Sequence, residues 1–206
     1  MNRPRSFALQ RVPSRYGLVA IALHWAIAAA IIGLLVLGTV MVWMTPGSSL
    51  QFELYQLHKS FGITVLALSL FRLGWRLRHP VPPLPATLKP WEAKLARFTH
   101  SAFYVLMLAL PFSGWMMVSA SVWNLPTIIF GLFPLPHLPV LSTLPDKKPV
   151  EEALKDVHEW MAIAAFALLL LHVAGAVKHH VFLRDDTLTR MLPWGRSDTG
   201  RTERPS

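Results

Sequence analysis

The sequence predicts an all-α integral membrane protein, built as a four-transmembrane-helix bundle with both termini cytoplasmic. Three observations lead to this fold class. Hydrophobic residues make up 53% of the 206 positions and charged residues only 15%, a balance that suits a membrane protein better than a soluble domain. Four apolar runs are separated by joins rich in proline. The basic residues collect in alternate joins, as they do in multi-pass membrane proteins.

Four segments are long enough to cross a bilayer, which takes about 20 apolar residues in a helix. The joins at 45–49, 79–85 and 125–149 contain helix-breaking prolines. The sequence shows no internal repeat, so we expect a single domain. The predicted spans within this domain of residues 1–206 are 18–43, 52–73, 98–122 and 157–177, and residues 194–206 are predicted to form a flexible tail.

Lysine and arginine set the predicted orientation. Sixteen of the 20 lie on one side of the predicted bundle: four in the N-terminal segment, six from Arg72 to Arg97 and six from Lys178 onward. With the acidic residues counted, this side carries a net charge of +11 and the other side −2, which together give the net charge of +9. Because basic loops stay in the cytoplasm, both termini are predicted to be cytoplasmic.

The high positive charge suggests two kinds of partner. One is anionic membrane lipid beside the basic joins, and the other is nucleic acid. The charges lie in segments that flank the membrane rather than on a folded basic face, so we expect membrane lipid and no nucleic acid.

The chain contains no cysteine. This excludes disulfides, thiolate metal sites, iron–sulfur clusters and cysteine nucleophiles. Any redox chemistry therefore requires a bound cofactor.

Four histidines fall at two predicted depths of the bundle. His24 and His172 lie toward the cytoplasmic side, and His58 and His158 lie toward the outer side. His158 and His172 are 14 residues apart on one span, which is a rise of about 21 Å with both side chains on one face. We therefore predict that His58 pairs with His158 and that His24 pairs with His172.

Such pairs suit haem iron, whose two axial positions accept neutral imidazoles from opposite sides. A single histidine near a membrane interface is more often bonded to a backbone carbonyl, but four at two matching depths favour a cofactor. Arg72 follows His58 by 14 residues, which places it near the inner cofactor, where it would pair with a haem propionate. An ordinary positive-inside anchor is an equal alternative for this arginine.

Four stretches carry a family resemblance. They are "RYGLVAIALHW", "LHKSFGITVLALSLFRLGWRLRHPVPPLP", "FTHSAFYVLMLALPFSGW" and "HEWMAIAAFALLLLHVAGAVKHHVFLRDDTLTRMLP". With them, the chain from about Arg15 to Pro193 resembles the bacterial cytochrome b561 family, which includes an enterobacterial superoxide oxidase. The resemblance implies a di-haem membrane cytochrome of the bacterial inner membrane, with two haem b groups at His24, His58, His158 and His172.

The same resemblance implies electron exchange with the quinone pool of a respiratory chain. We expect an outer-side donor, either superoxide or a redox protein, and ubiquinone as the exchangeable acceptor. Lys89, His100 and His179 lie at the predicted cytoplasmic mouth and are candidate quinone contacts. Solvated or interfacial side chains are the alternative interpretation of these three. No catalytic residue is assigned.

Two other functions remain open. The chain could be a cytochrome b subunit that relays electrons from a partner dehydrogenase or hydrogenase to quinone, in which case a large soluble partner should copurify. It could also be a haem-free four-helix transporter that uses its histidines for protons or metal, in which case the purified protein should be colourless.

Overall fold

A computed structural model describes residues 15–85 and 88–194 of the chain. Within them lie four long helices, all long and apolar enough to cross a membrane. Of the predicted tail 194–206, the part after Trp194 lies outside the described residues. The elements are α1 Leu18–Trp43, α2 Ser49–Arg78, α3 Pro90–Ser119, β1 Thr127–Ile129, β2 Phe133–Leu135, α4 Pro139–Ser142 and α5 Lys148–Val177.

Helices α2, α3 and α5 begin earlier than the predicted spans. Ser48 caps α2, because its side chain accepts a hydrogen bond from the backbone N–H of Gln51. Proline stands in the first turn of both α3 and α5, where it removes no helical hydrogen bond. Apolarity marks the part of a helix inside the membrane, whereas capping decides where the helix begins.

The prediction for the end of the third span was wrong by a few residues. The span was expected to reach Val122, but α3 ends at Ser119. The chain then turns, and Asn124 adopts a positive φ of 47°, a conformation that asparagine tolerates better than most residues. The turn carries the chain sideways into the long loop that follows.

The bundle packs in chain order, α1 on α2, α2 on α3 and α3 on α5. Ile27, Val65 and Met107 form the buried apolar centre between the first three helices. Many other large apolar side chains point outward, as expected for a surface that faces lipid. We call the end where α1 and α3 begin the terminal end, because the N- and C-terminal segments meet there, and the opposite end the hairpin end.

The hairpin end carries two short strands that the all-α prediction did not include. β1 and β2 pair antiparallel, with Ile128 opposite Pro134. The hairpin is fixed to α2 by side chains on either side of His58. The backbone N–H of Ile128 donates to Gln56 Oε1, 3.1 Å away, and the N–H of Phe130 donates to Ser60 Oγ, 3.0 Å away.

The terminal end is closed by the segment that follows α5. A π-helical turn at Lys178–Phe182 and a 3₁₀ turn at Thr189–Met191 carry the chain beneath α1. There the Arg15 guanidinium donates to the Leu192 carbonyl, and Trp25 Nε1 donates to the Met191 carbonyl at 2.7 Å. The chain thus returns to the helix that carries His24.

Candidate functional site

The structure brings together two imidazoles at the hairpin end. His58 on α2 and His158 on α5 face each other with ring centroids 6.4 Å apart and ring planes at 69°. We call these two residues the hairpin-end pair. They come from helices that are distant in sequence, so the folded bundle alone creates the pair.

A second pair lies at the terminal end. His24 on α1 and His172 on α5 have ring centroids 6.2 Å apart and ring planes at 64°. We call these two residues the terminal-end pair. One helix, α5, therefore supplies a histidine to each pair, and the depths estimated from the sequence match these two neighbourhoods.

The spacing within each pair fits one metal ion. A metal–imidazole bond is about 2.0 Å, and with a ring radius of about 1.1 Å two axial rings have centroids about 6.2–6.4 Å apart. In residues 15–85 and 88–194 no group of three or more His, Cys, Asp or Glu side chains is placed to hold a metal ion. Two imidazoles without further protein ligands suit a metal whose remaining ligands come from a macrocycle, as in haem.

The two rings of the hairpin-end pair are held by different contacts. Ser113 Oγ lies 2.9 Å from His158 Nδ1 and donates its own hydrogen to the Leu110 carbonyl at 2.8 Å. The hydroxyl oxygen is thus free to accept a hydrogen from Nδ1 of His158, and in that tautomer Nε2 would be unprotonated and able to bind a metal. Nδ1 of His58 is buried and has no hydrogen-bond partner in the described part of the chain.

Two glycines make room for the hairpin-end pair. A Cβ atom added at Gly38 on α1 would lie 3.3 Å from Cε1 of His58, and one added at Gly114 on α3 would lie 3.3 Å from Cε1 of His158. Each imidazole thus packs against the backbone of a neighbouring helix. The sequence interpretation missed both glycines and also Ser113, because small residues are common in membrane helices and their spacing alone gave no signal.

The terminal-end pair has polar and aromatic neighbours. The His100 ring centroid lies 5.5 Å from that of His172, and Phe103 contacts the same ring edge-on at 5.4 Å. Arg72 Nη1 donates to the Ala20 carbonyl of α1 at 3.3 Å. The arginine therefore lies near His24 as predicted from spacing, and its pairing with a haem propionate stays a prediction.

The other predicted quinone contacts also lie at the terminal end. His179 is buried, and its Nδ1 lies 2.6 Å from Oδ2 of Asp185. Lys89 precedes α3, and its backbone N–H donates to Glu92. Glu92 in turn pairs with Lys178 at 2.7 Å. No hydrogen bond described between residues 15 and 194 joins Lys89, His100 and His179 directly.

Asp185 was not identified as a site residue in the sequence analysis, but the structure gives its carboxyl group well-defined hydrogen bonds. Burial raises the pKa of its carboxyl group, but hydrogen bonds from Thr187 and His179 outweigh burial and hold the pKa below its usual value. Asp185 is therefore a carboxylate at neutral pH. No sequence pattern indicated this contact, because it depends on how the chain turns after α5.

Comparisons with known proteins show which family the chain resembles. A family model described as prokaryotic cytochrome b561 matches residues 15–194. The chain is 34% identical over 189 residues to cytochrome b561 homolog 2 of Escherichia coli K12, covering 91% of this chain and 96% of the relative. It is 29% identical to a probable superoxide oxidase CybB of Yersinia pestis, covering 87% and 96%. It is 27% identical to cytochrome b561 homolog 1 of Escherichia coli K12, covering 87% and 98%.

Proposed function

Because the chain belongs to the prokaryotic cytochrome b561 family, whose members are membrane b-type cytochromes in electron transfer, we propose that it moves single electrons between an outer-side donor and the quinone pool. The observation that carries this proposal is the presence of two imidazole pairs, one at each end of the bundle. A protein with one pair at each end could hold an electron carrier at each of two depths of the membrane.

In this proposal the two pairs would hold two haem b groups, His58 and His158 the first and His24 and His172 the second. Arg72 would pair with a propionate of the second. When bound, the two haems supply one-electron carriers at the two levels. The chain's own contribution is to fix the imidazoles, as Ser113 does for His158.

The orientation is part of the proposal. The terminal end carries the excess of lysine and arginine, so we place it in the cytoplasm and the protein in the bacterial inner membrane. The hairpin end then faces outward. Lys59 follows His58 directly and donates from Nζ to the Pro126 carbonyl at 3.2 Å, so a positive charge stands beside the hairpin-end pair.

For the donor we propose superoxide. The Yersinia pestis relative is described as a probable superoxide oxidase, and a small anion is attracted by a lysine beside the outer pair. Oxidation of superoxide releases dioxygen and one electron. For the acceptor we propose ubiquinone at the terminal end, in contact with Lys89, His100 and His179, which offer donors to its carbonyl oxygens.

The first test is a reduced-minus-oxidised spectrum with a haem assay on the anaerobically purified protein. We expect two low-spin b-type haems per chain. Stopped-flow mixing with potassium superoxide and a soluble ubiquinone analogue should then show haem reduction followed by quinol formation. A colourless protein would favour the transporter alternative. Haems that superoxide leaves oxidised, together with a copurifying dehydrogenase or hydrogenase, would favour the role of a partner enzyme's cytochrome subunit.

A further inference from the structure

The segment after α5 has an unusual backbone. A π-helical turn at Lys178–Phe182 ends the helix, and Arg184 adopts a positive φ of 51°. π-helical turns are rare and frequent at functional sites, and positive φ at a residue other than glycine persists only where the surroundings hold it. Both features serve to turn the chain back, so that the backbone N–H of Asp185 donates to the His179 carbonyl at 3.1 Å.

This turn produces a buried pair of side chains. The side chains of His179 and Asp185 are only 10% and 7% exposed, and Nδ1 lies 2.6 Å from Oδ2. The second carboxylate oxygen, Oδ1, accepts the backbone N–H of Thr187 at 2.9 Å. With both oxygens engaged, the carboxylate cannot rotate freely. It therefore holds the imidazole in one orientation, with the hydrogen on Nδ1.

An open recess lies on the far side of this pair. It has a volume of about 310 Å³ and is lined by His180, Arg184, Asp185, Asp186 and Thr189. Asp185 thus lies between the recess and His179. The pair is therefore close to the protein surface, although the imidazole itself is buried.

We propose that Asp185 is the positioning residue for quinone reduction, holding His179 so that its Nε2 delivers a proton to the quinone oxygen. This inference rests on the quinone site proposed above. Reduction of one quinone takes two electrons, supplied by oxidation of the outer donor, and two protons from water. Each proton that His179 gives up from Nε2 is replaced on the same nitrogen by a proton from water at the terminal end, and Asp185 stays ionised throughout, with the Nδ1 hydrogen bonded to it.

Other charged groups surround the pair and enter any pH dependence. Glu92 on α3 is paired with Lys178, and Asp186 is paired with Arg190 at 2.8 Å. His180 and Arg184 line the recess. The Asp186 pair lies on the same segment and is more exposed, so Asp186→Asn removes an equal charge without touching His179. It is the matched control for Asp185→Asn.

The experiment mixes anaerobically reduced protein with ubiquinone-1 and follows haem reoxidation across a range of pH. We expect Asp185→Asn to slow reoxidation about tenfold or more, because the carboxylate that holds the Nδ1 hydrogen of His179 is gone. Asp185→Glu should recover part of the rate, and Asp186→Asn should behave as the unchanged protein does. Both haem spectra should be retained in every variant, which shows that the variants fold.

A double-variant cycle separates positioning from a general structural effect. If Asp185 acts through His179, then Asp185→Asn should cause no further loss in a His179→Ala background. Nitrogen-15 NMR of the His179 ring should show the hydrogen on Nδ1 in the unchanged protein and a tautomer mixture in Asp185→Asn. A slow His179→Ala variant with a normal Asp185→Asn variant would overturn the inference. An unchanged rate in His179→Ala would instead remove His179 from the proposed quinone site.

Discussion

The two imidazole pairs have the same ligands but different surroundings. At the hairpin end, Gly38 and Gly114 let the rings pack against backbone, and Ser113 holds one ring nitrogen. At the terminal end, His172 has His100 and Phe103 against its ring, and Arg72 lies close by. Within residues 15–85 and 88–194, neither His24 nor His172 has a hydrogen-bonded ring nitrogen.

This difference indicates different tasks for the two ends. Tight packing and a fixed hydrogen bond hold a ligand and its cofactor in one state, which suits a site that only receives electrons. Cations, a further imidazole and the buried pair of His179 and Asp185 supply hydrogen bonds and protons, which suits a site that reduces a quinone. In our proposal the hairpin end handles electrons alone, and the terminal end handles electrons together with protons.

The largest expected effect that tests the difference between the two ends is the loss of a whole haem. His58→Ala should remove the hairpin-end haem and leave the other spectrally intact, because each pair lies on its own level. His172→Ala should remove the terminal-end haem only. Low-temperature difference spectra and a haem assay measure both losses. If His58→Ala removed the haem that is lost in His172→Ala, the pairing would be wrong.

A smaller effect should come from the glycine that packs on His158. Gly114→Ala places a Cβ 3.3 Å from Cε1 of His158, so the imidazole must shift, at a cost of about 1–3 kcal/mol. We expect lower haem occupancy at the hairpin end and a lower temperature of haem release, measured by absorbance during heating. The terminal-end haem should be unaffected.

The control for this glycine is Gly33 on α1, where an added Cβ would meet no atom within 4 Å. Gly33→Ala should leave both haems in place and slightly stabilise the helix, by about 0.5–1 kcal/mol. Equal losses in both variants would mean that the close contact at Gly114 is unimportant.

The reactions proposed at the two ends of the bundle should also be distinguishable by their kinetics. Replacing Lys89 or His179 with alanine should slow quinone reduction about tenfold while reduction of the haems by the outer donor stays fast, because both residues lie at the terminal end. Stopped-flow haem reoxidation by a soluble quinone measures the effect. Lys94→Ala is the control, since Lys94 is another exposed lysine near the start of α3.

Unchanged reoxidation in both single variants and in their double variant would move the quinone site to the hairpin end, near His58 and His158. The two ends would then exchange the tasks assigned to them here.

The sequence predicted the framework of the fold well. Apolar runs of bilayer length located the four helices, and their regular rise assigned each histidine a depth. The family resemblance is confirmed. The ends of the helices were less predictable, because caps such as Ser48 and the prolines of α3 and α5 extend the helices past the apolar runs.

The sequence did not predict features that depend on contacts distant along the chain. The hairpin strands are only three residues each and rely on Gln56 and Ser60 of α2. The contact between His179 and Asp185 requires a π-helical turn and a positive φ at Arg184, neither of which follows from hydropathy or periodicity. The haem-ligand and quinone assignments themselves stay predictions.

The smallest expected effect concerns the Ser113 hydrogen bond at the hairpin end. When Ser113 accepts the Nδ1 hydrogen of His158, the imidazole becomes a stronger electron-pair donor to iron. This favours the oxidised state of the haem and lowers its reduction potential. Ser113→Ala should therefore raise the hairpin-end potential by an amount on the order of tens of millivolts, equivalent to about one hydrogen bond. The Leu110 backbone carbonyl also lies within hydrogen-bond reach of His158 and can replace the serine in part, which keeps the shift small. A spectroscopic redox titration measures the potentials of the two haems separately. The control is Ser101→Ala, at an exposed position on the same helix. A shift of the terminal-end potential instead, or equal shifts in both variants, would show that the hydrogen bond does not distinguish the two ends.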